Sequence, residues 1–216
     1  MTSSETTPPA TTAATTETAS GAAPGTRPSG SSAAGDWSGR MVWIDCEMTG
    51  LDPDSDVLLE VAALVTDTEL NILGDGVDVV IRPDDGALEA MGDFVRRMHR
   101  SSGLLDELDS GTSVEEAQRR VLDYVRTWVP EAGVAPLAGN SVHADKAFLR
   151  LAMPELVDHL HYRIIDVSTI KELASRWHPQ AREGAPEKTG NHRALGDIRD
   201  SIEELRHYRA TVFRQA

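Results

Sequence analysis

The sequence has one cysteine, only three tyrosines and three phenylalanines, and no long apolar run. A single cysteine, Cys46, excludes an intrachain disulfide and gives no sign of an oxidising compartment. No segment approaches the roughly 20 apolar residues of a membrane-spanning helix. The first residues also lack the basic start and continuous apolar stretch of a secretory signal. We therefore predict a cytoplasmic protein that makes no use of a membrane.

Basic residues are also scarce, because 21 Lys and Arg face 35 Asp and Glu, for a formal net charge of -14 at pH 7. Proteins that bind long nucleic acids usually carry the opposite sign, since many phosphates must be neutralised by clustered Lys and Arg. If the substrate is a nucleic acid, we expect it to be short, or to be held by metal ions and a few local contacts.

The N-terminal segment differs in composition from the rest of the chain. Residues 1–39 are almost all Thr, Ser, Ala, Pro, Gly and Glu, with no large apolar residue between Met1 and Trp37. Such a segment cannot bury enough apolar surface to offset its chain entropy. We predict a disordered tail over residues 1–39 and one domain of ordinary size over residues 40–216.

The remaining sequence shows strand patterns first and then an alternation of strands and helices. Three apolar runs rich in branched residues come first: one begins at Val42, and the others extend over 57–66 and 72–81. The short links between them favour an antiparallel meander. Gly74 and Gly76 are expected to be turn residues near the start of the third run. The later pattern predicts two further strands, at 136–140 and 162–167. It predicts helices at 87–99, 113–129 and 143–153, a helix that follows the last strand and ends at residue 177, and a final helix after residue 190. A polar loop is expected at 178–190. This order predicts an α/β fold with a partly antiparallel sheet and helices on its faces.

Two carboxylates interrupt the first apolar run. Asp45 and Glu47 are two positions apart, so in a strand they point to the same face. Two neighbouring anions at the end of a core strand repel each other and lose hydration, so they need a compensating cation or a shared proton. A hard divalent metal ion is a common choice. The alternative is a structural pair bonded to backbone amides or to Arg.

Three further residues are candidates for the same site. Asp145 follows the strand-turn segment Gly139-Asn140-Ser141, where side chains emerge at the rim of an α/β sheet. His192 and Asp197 would lie roughly 140° apart within one helix, so they share a site only if His192 lies at or before the first helical turn, with Asn191 as a reasonable cap. Taken singly, these residues fit a helix-dipole acid, a surface histidine and an exposed helix charge.

These segments together resemble one family. The run Trp43-Ile44-Asp45-Cys46-Glu47-Met48-Thr49-Gly50-Leu51, the turn with Asp145, the segment His161-Tyr162-Arg163 and the His192–Asp197 spacing are similar to oligoribonuclease. That family belongs to the 3′-to-5′ exonucleases that use four acidic residues and a histidine. The resemblance covers residue 41 to the C-terminus. It implies a ribonuclease H-like, mixed five-stranded sheet, with three antiparallel strands and then two parallel strands, flanked by helices.

The resemblance also implies a mechanism. Asp45, Glu47, Asp145 and Asp197 match the family's metal-binding carboxylates, and His192 matches its general base. Two Mg²⁺ or Mn²⁺ ions would activate a water and stabilise the leaving oxygen in hydrolysis of the phosphodiester bond. The implied activity is the metal-dependent removal of 5′-mononucleotides from the 3′ end of very short RNAs, dinucleotides especially.

Substrate contacts follow from the same resemblance. Leu51 and Phe94 match the residues that sandwich the bases, although the family usually has tryptophan where this chain has Phe94. In isolation, Phe94 fits a core position and Tyr162 fits ordinary β-sheet packing. The other implied substrate residues are His99, Ser141, His161, Tyr162 and Arg163. The last three match a segment supplied by a second subunit, which implies a homodimer with Tyr162 acting in trans.

Two other functions remain open on the sequence alone. A related exonuclease of the same superfamily would act on longer RNA or DNA 3′ ends, and it would need basic contacts along the strand. A catalytically inactive binding module would keep the fold without the chemistry. Retention of the five matched catalytic positions argues against the inactive module.

Overall fold

The computed structural model of the protein describes residues 39–188, 190 and 192–213. Apart from Gly39, the tail expected over residues 1–39 lies outside the described residues, and so does Asn191, the expected helix cap. Among the described residues, no helix has both the length and the apolar character needed to cross a membrane.

The described strands form one five-stranded sheet in the order β3-β2-β1-β4-β5. They are β1 (Met41–Met48), β2 (Leu58–Thr66), β3 (Ile72–Val80), β4 (Pro136–Gly139) and β5 (His161–Asp166). β1 pairs with β2 and β2 with β3 in antiparallel fashion, whereas β4 is parallel to both β1 and β5. The expected sheet of three antiparallel strands followed by two parallel ones is therefore confirmed.

Helices cover both faces of this sheet. In chain order they are α1 (Asp93–Ser101), α2 (Leu104–Glu107), α3 (Val114–Trp128), α4 (His143–Ala152), α5 (Pro154–His159), α6 (Val167–Trp177), α7 (Pro179–Glu183) and α8 (Ala194–Thr211). The side chain of Ser113 caps α3 by accepting a hydrogen bond from the amide of Glu116, as the sequence predicted. The helix expected at 87–99 begins later, because residues 85–90 form turns and Gly92 is extended.

Two details of the predicted elements are wrong. The segment 178–190, expected to be a loop, contains α7, which Pro179 begins at a position where a missing N–H costs nothing. Gly74 and Gly76 lie within β3 rather than in a turn before it, both at positive φ. The pairing of β2 with β3 shifts register between Ala63 and Val65. A Cβ atom on Gly74 would lie 2.7 Å from the ring of Trp128, so this close approach needs glycine.

The two faces of β1 belong to different core layers. Val42, Ile44 and Cys46 pack with residues of α3, α4 and α5, whereas Trp43 packs on the opposite face with residues of α6 and α8. Burial raises the pKa of the Cys46 thiol well above its ordinary value, so the thiol is an inert core group. Asp45 continues the face of Trp43, and the acidic end of β1 therefore points toward α8.

Candidate active site

Three carboxylates meet where β1 ends beneath the start of α8. Asp45 and Glu47 project from the strand, and Asp197 lies in the first turn of the helix. One carboxylate oxygen from each of the three residues lies within 4.8 Å of the other two. Glu47 is buried, and the other two are half-buried. The structure thus brings Asp197 together with residues that precede it by 150 and 152 positions in the sequence.

The fourth predicted carboxylate approaches the same strand from α4. Asp145 lies in the first turn of α4 and is buried. Its Oδ1 accepts a hydrogen bond of 3.0 Å from the backbone N–H of Cys46, the residue between Asp45 and Glu47. Asp145 is therefore bonded to the backbone of β1 between the two carboxylates of that strand.

The crowding of these groups changes their ionisation. Burial, and then the charges of Asp145, Asp197 and Glu47, raise the pKa of Asp45 well above its ordinary value. Burial is also the main cause that raises the pKa of Glu47 to about 8 and that of Asp145 to about 6. Carboxylates crowded in this way keep all their charges only beside a compensating cation. An all-oxygen donor set of this kind fits a hard divalent metal ion.

His192 lies two residues before the first residue of α8. It is exposed and has a positive φ of 50°, which is uncommon for a residue other than glycine. Burial raises the pKa of Asp197, and the charges of Lys188 and His192 partly offset that rise. The condition for a shared site, that His192 precedes the helix, is met. Arg193 occupies the cap position of α8, and its side chain makes no cap hydrogen bond.

Leu51 and Phe94 are the most exposed large apolar side chains near the strand end and the start of α1. Leu51 is 84% exposed and Phe94 is 73% exposed, so neither is a core residue, and both are open to a ligand.

His99, in contrast, is fully buried. Its Nε2 lies 2.8 Å from the carbonyl of Met48, and its Nδ1 lies 3.7 Å from Glu47 Oε2. The structure thus places His99 behind Glu47, where its Nδ1 has no hydrogen-bond partner among the described residues.

Ser141 begins the turn into α4 and is held by a polar network. Its backbone N–H donates to Asp166 Oδ1 at 2.9 Å, and its hydroxyl donates to Ser168 Oγ at 3.1 Å. Ser141 is exposed and has a positive φ of 53°. Because Asp166 ends β5 and caps α6, this network joins three elements at the same edge of the sheet as the carboxylates.

The segment matched to a second subunit lies on the edge strand β5. Tyr162 is 74% exposed, which excludes its alternative reading as a packed strand residue. The rings of His161 and Tyr162 have centroids 4.4 Å apart, and the guanidinium carbon of Arg163 lies 5.4 Å from the centroid of the Tyr162 ring. The three residues form one exposed group that a partner or a substrate can reach.

Sequence reasoning missed two residues that bear on the site. Glu60 is fully buried in β2, and its Oε1 lies 2.7 Å from a guanidinium nitrogen of Arg193. The available signal was a lone glutamate in an otherwise apolar run. Lys188 falls in a polar segment without any pattern, and only its charge near Asp197 reveals its place.

Comparison with known proteins decides the family. The RNase T exonuclease family model matches residues 42–205. An oligoribonuclease of Streptomyces griseus is 64% identical over 174 residues, which cover 81% of this chain and 87% of that relative. One from Rhodococcus jostii is 58% identical over 175 residues, which cover 81% of this chain and 88% of the relative. The chain belongs to the oligoribonuclease family.

Solved structures show where the oligoribonuclease fold recurs. The zinc-bound complex of E. coli exonuclease I with single-stranded DNA matches with a TM-score of 0.63 at 15% identity, over 79% of this chain and 40% of that one. Exonuclease I of Methylocaldum szegediense matches with a TM-score of 0.58 at 18% identity, over 80% of this chain and 41% of that one. At such identities the likeness concerns the fold alone, and the chain spans about two fifths of the length of either protein.

Membership of the oligoribonuclease family has direct consequences. The expected ribonuclease H-like α/β fold is confirmed. The protein is a nuclease, and therefore a hydrolase, and its substrate is nucleic acid. The three-carboxylate group is of a kind that binds divalent metal ions. The catalytic, metal-binding and substrate roles of individual residues remain predictions.

Proposed function

We infer that the protein is a cytoplasmic 3′-to-5′ exoribonuclease that hydrolyses very short oligoribonucleotides, dinucleotides especially, to 5′-mononucleotides. The observation that carries this inference is the convergence of Asp45, Glu47 and Asp197 within 4.8 Å, in a chain of the oligoribonuclease family. Exposed Leu51 and Phe94 near the same end of the molecule offer apolar faces to the bases.

The carboxylates would hold two divalent ions, Mg²⁺ or Mn²⁺. Asp45, Glu47, Asp145 and Asp197 are the residues that would bind them. When bound, such ions lower the pKa of a water and stabilise the leaving oxygen of a phosphodiester. The raised pKa values of Asp45 and Glu47 support the assignment, since a bound cation offsets both the burial and the repulsion that raise them.

His192 is the proposed general base. An exposed imidazole beside Asp197 accepts a proton from the attacking water, because histidines ordinarily titrate near neutral pH. Its position before α8 leaves the ring free to reach the substrate phosphate, whereas a place inside the helix would turn it away from Asp197.

The substrate is held at its bases and at its two ends. Leu51 and Phe94 sandwich the bases, and Ser141 lies near the terminal nucleotide and its phosphate. His99, expected at the same end of the substrate, is fully buried and so does not touch the substrate directly. The exposed group on β5 caps the 5′ phosphate of a substrate bound in the other subunit of a homodimer. A capped substrate of two nucleotides presents few phosphates, which agrees with a net charge of -14.

The rival function is that of a related exonuclease that degrades longer RNA or DNA strands. A series of RNAs from two to 20 nucleotides, incubated with Mg²⁺ or Mn²⁺, separates the two. We expect the highest kcat/KM on the dinucleotide, no hydrolysis in EDTA and none by Asp145→Ala. A preference for the 20-nucleotide strand would favour the rival, and turnover in EDTA would contradict the metal-dependent scheme.

A further inference from the structure

The residue that follows His192 is tied to the sheet by its side chain. Arg193 Nε donates to Glu60 Oε1 at 2.8 Å, and its Nη1 and Nη2 donate to the two oxygens of Glu107 at 2.8 and 3.1 Å. Glu60 belongs to β2 and is fully buried, whereas Glu107 ends α2 and is half open to solvent. One guanidinium therefore joins the approach to α8 with β2 and α2.

The same buried carboxylate also fixes the start of the helix. Glu60 Oε2 accepts a hydrogen bond of 3.1 Å from the backbone N–H of Ala194, the first residue of α8. The side chain of the cap residue, Arg193, makes no cap hydrogen bond. Glu60, 134 positions before Ala194 in the sequence, therefore takes the place of a local cap. Glu60 thus holds both Arg193 and the first free amide of the helix.

This anchor is in register with the carboxylates of the site. Glu60 is the direct cross-strand partner of Glu47 in the β1–β2 pair. His192, one residue before the anchored Arg193, has a φ of 50°, a conformation that residues other than glycine adopt only where their surroundings impose it. The residue directly after His192 is therefore fixed by its side chain to the same pair of strands that carries Asp45 and Glu47.

We propose that Arg193, clamped by Glu60 and Glu107, is a positioning residue that holds His192 in place directly before α8. The proposal rests on the proposed function, in which His192 is the general base. Lysine carries the same charge as arginine, but its donors sit on one nitrogen, so it cannot reproduce the two-nitrogen contact with Glu107 together with the Nε contact with Glu60. Arg193→Lys therefore keeps the charge and removes the clamp.

The test is a double-mutant cycle on dinucleotide hydrolysis. We expect Arg193→Lys to lower kcat by about 10- to 100-fold with KM changed by less than about threefold, because small displacements of a catalytic group cost about this much. In a His192→Ala background the same substitution should lower kcat by less than about twofold further, since the positioned group is gone. Glu107→Gln should show the same pattern with a smaller loss.

A matched control distinguishes this role from a general effect on the helix. Arg209, near the other end of α8, has its Nη2 2.7 Å from Glu69, and Arg209→Lys should leave kcat within about twofold of wild type. An unchanged kcat in Arg193→Lys overturns the proposal. An equal loss in the presence and absence of His192 also overturns it, since Arg193 would then act on the fold or on the carboxylates.

A second measurement does not depend on catalysis. The ring signals of His192 in carbon–proton NMR spectra can be assigned by their loss in His192→Ala. We expect Arg193→Lys to shift or broaden them and Arg209→Lys to leave them unchanged. Unaltered His192 signals in Arg193→Lys contradict the positioning role even if no RNA is hydrolysed. Failure of the wild-type protein to hydrolyse short RNA, in contrast, contradicts the proposed function and not the clamp.

Discussion

Glu47 on β1 and Glu60 on β2 lie directly opposite each other in the antiparallel pair. Like charges in that arrangement are destabilising, so each needs its own compensation. Glu60 is paired with Arg193. The pKa of Glu47 is instead raised to about 8 by burial and by the neighbouring carboxylates, Glu60 included. One carboxylate of the pair is thus neutralised by an arginine, and the other belongs to the three-carboxylate group.

The raised pKa of Glu47 predicts how the metal-free protein responds to pH. Its ordinary value is 4.5 and its folded value about 8, so between these values the folded state keeps a proton that the unfolded state has lost. Stability therefore falls as pH rises through that window. We expect calorimetry in EDTA to show a lower Tm at pH 8.5 than at pH 6, and Mg²⁺ to reduce the fall because it binds the ionised carboxylates.

The control for this pH effect is Glu47→Gln, which removes the titrating group without changing the shape of the side chain. In EDTA its Tm should depend less on pH over the same window than that of the wild type. A wild-type Tm that does not decline between pH 6 and 8.5 without metal would show that Glu47 is ionised in the free protein.

Replacement of His192 tests the general base. His192→Ala should lower kcat by about 10²- to 10⁴-fold, the usual contribution of such a group, while KM changes little. His178→Ala is a suitable control, because His178 is also exposed and lies away from the carboxylates at the start of α7. Steady-state kinetics on a dinucleotide provide both constants. A raised KM with an unchanged kcat would assign His192 to substrate binding instead.

Local patterns predicted the fold where the elements are long. The meander of β1, β2 and β3 and the helix α3 with its cap at Ser113 are visible as periodicities in the sequence. α2, α5 and α7 have only four to six residues, which is too short for a 3.6-residue period to repeat. The glycine at position 74 predicts a turn, because glycine favours turns. In the structure Gly74 instead lies in a strand, where the lack of a side chain allows close contact with Trp128.

The site was predictable where one segment carries the signal. The two-residue spacing of Asp45 and Glu47 fixes their common face in any strand. Glu60 and Arg193, however, are 133 positions apart, and nothing in either segment reveals that the other is its partner. The burial of His99 also depends on how α1 packs against the end of β1. Such long-range pairings require the tertiary structure.

The exposed ring of Phe94 predicts a binding effect without a stability effect. Stacking of a base on an aromatic ring contributes about 1–3 kcal/mol by alanine substitution, so Phe94→Ala should raise KM by about five- to 150-fold. Because the Phe94 side chain is 73% exposed, the Tm of Phe94→Ala should match that of the wild type. Phe94→Trp should bind at least as tightly as wild type, since it offers a larger face.

Phe213 is the matched control for Phe94, because it is also an exposed phenylalanine, at 51%, and lies beyond the end of α8. Phe213→Ala should leave KM for a dinucleotide unchanged. A wild-type KM in Phe94→Ala would remove this ring from the base-binding site.

The proposed role of Tyr162 in trans predicts complementation between two defective chains. Tyr162→Ala lacks the cap, and Asp145→Ala lacks a carboxylate, so each homodimer should be impaired. Co-expression with two different tags allows the hybrid dimer to be isolated, and in it one site combines an intact Asp145 with an intact Tyr162 from the other subunit. The hybrid should therefore have about half of the wild-type activity. If Tyr162 acts within its own subunit, both sites of the hybrid remain defective, and its activity is only the mean of the two homodimers. A monomeric mass by light scattering at the assay concentration would exclude the trans arrangement altogether, because the exposed group on β5 would then have no second active site to reach.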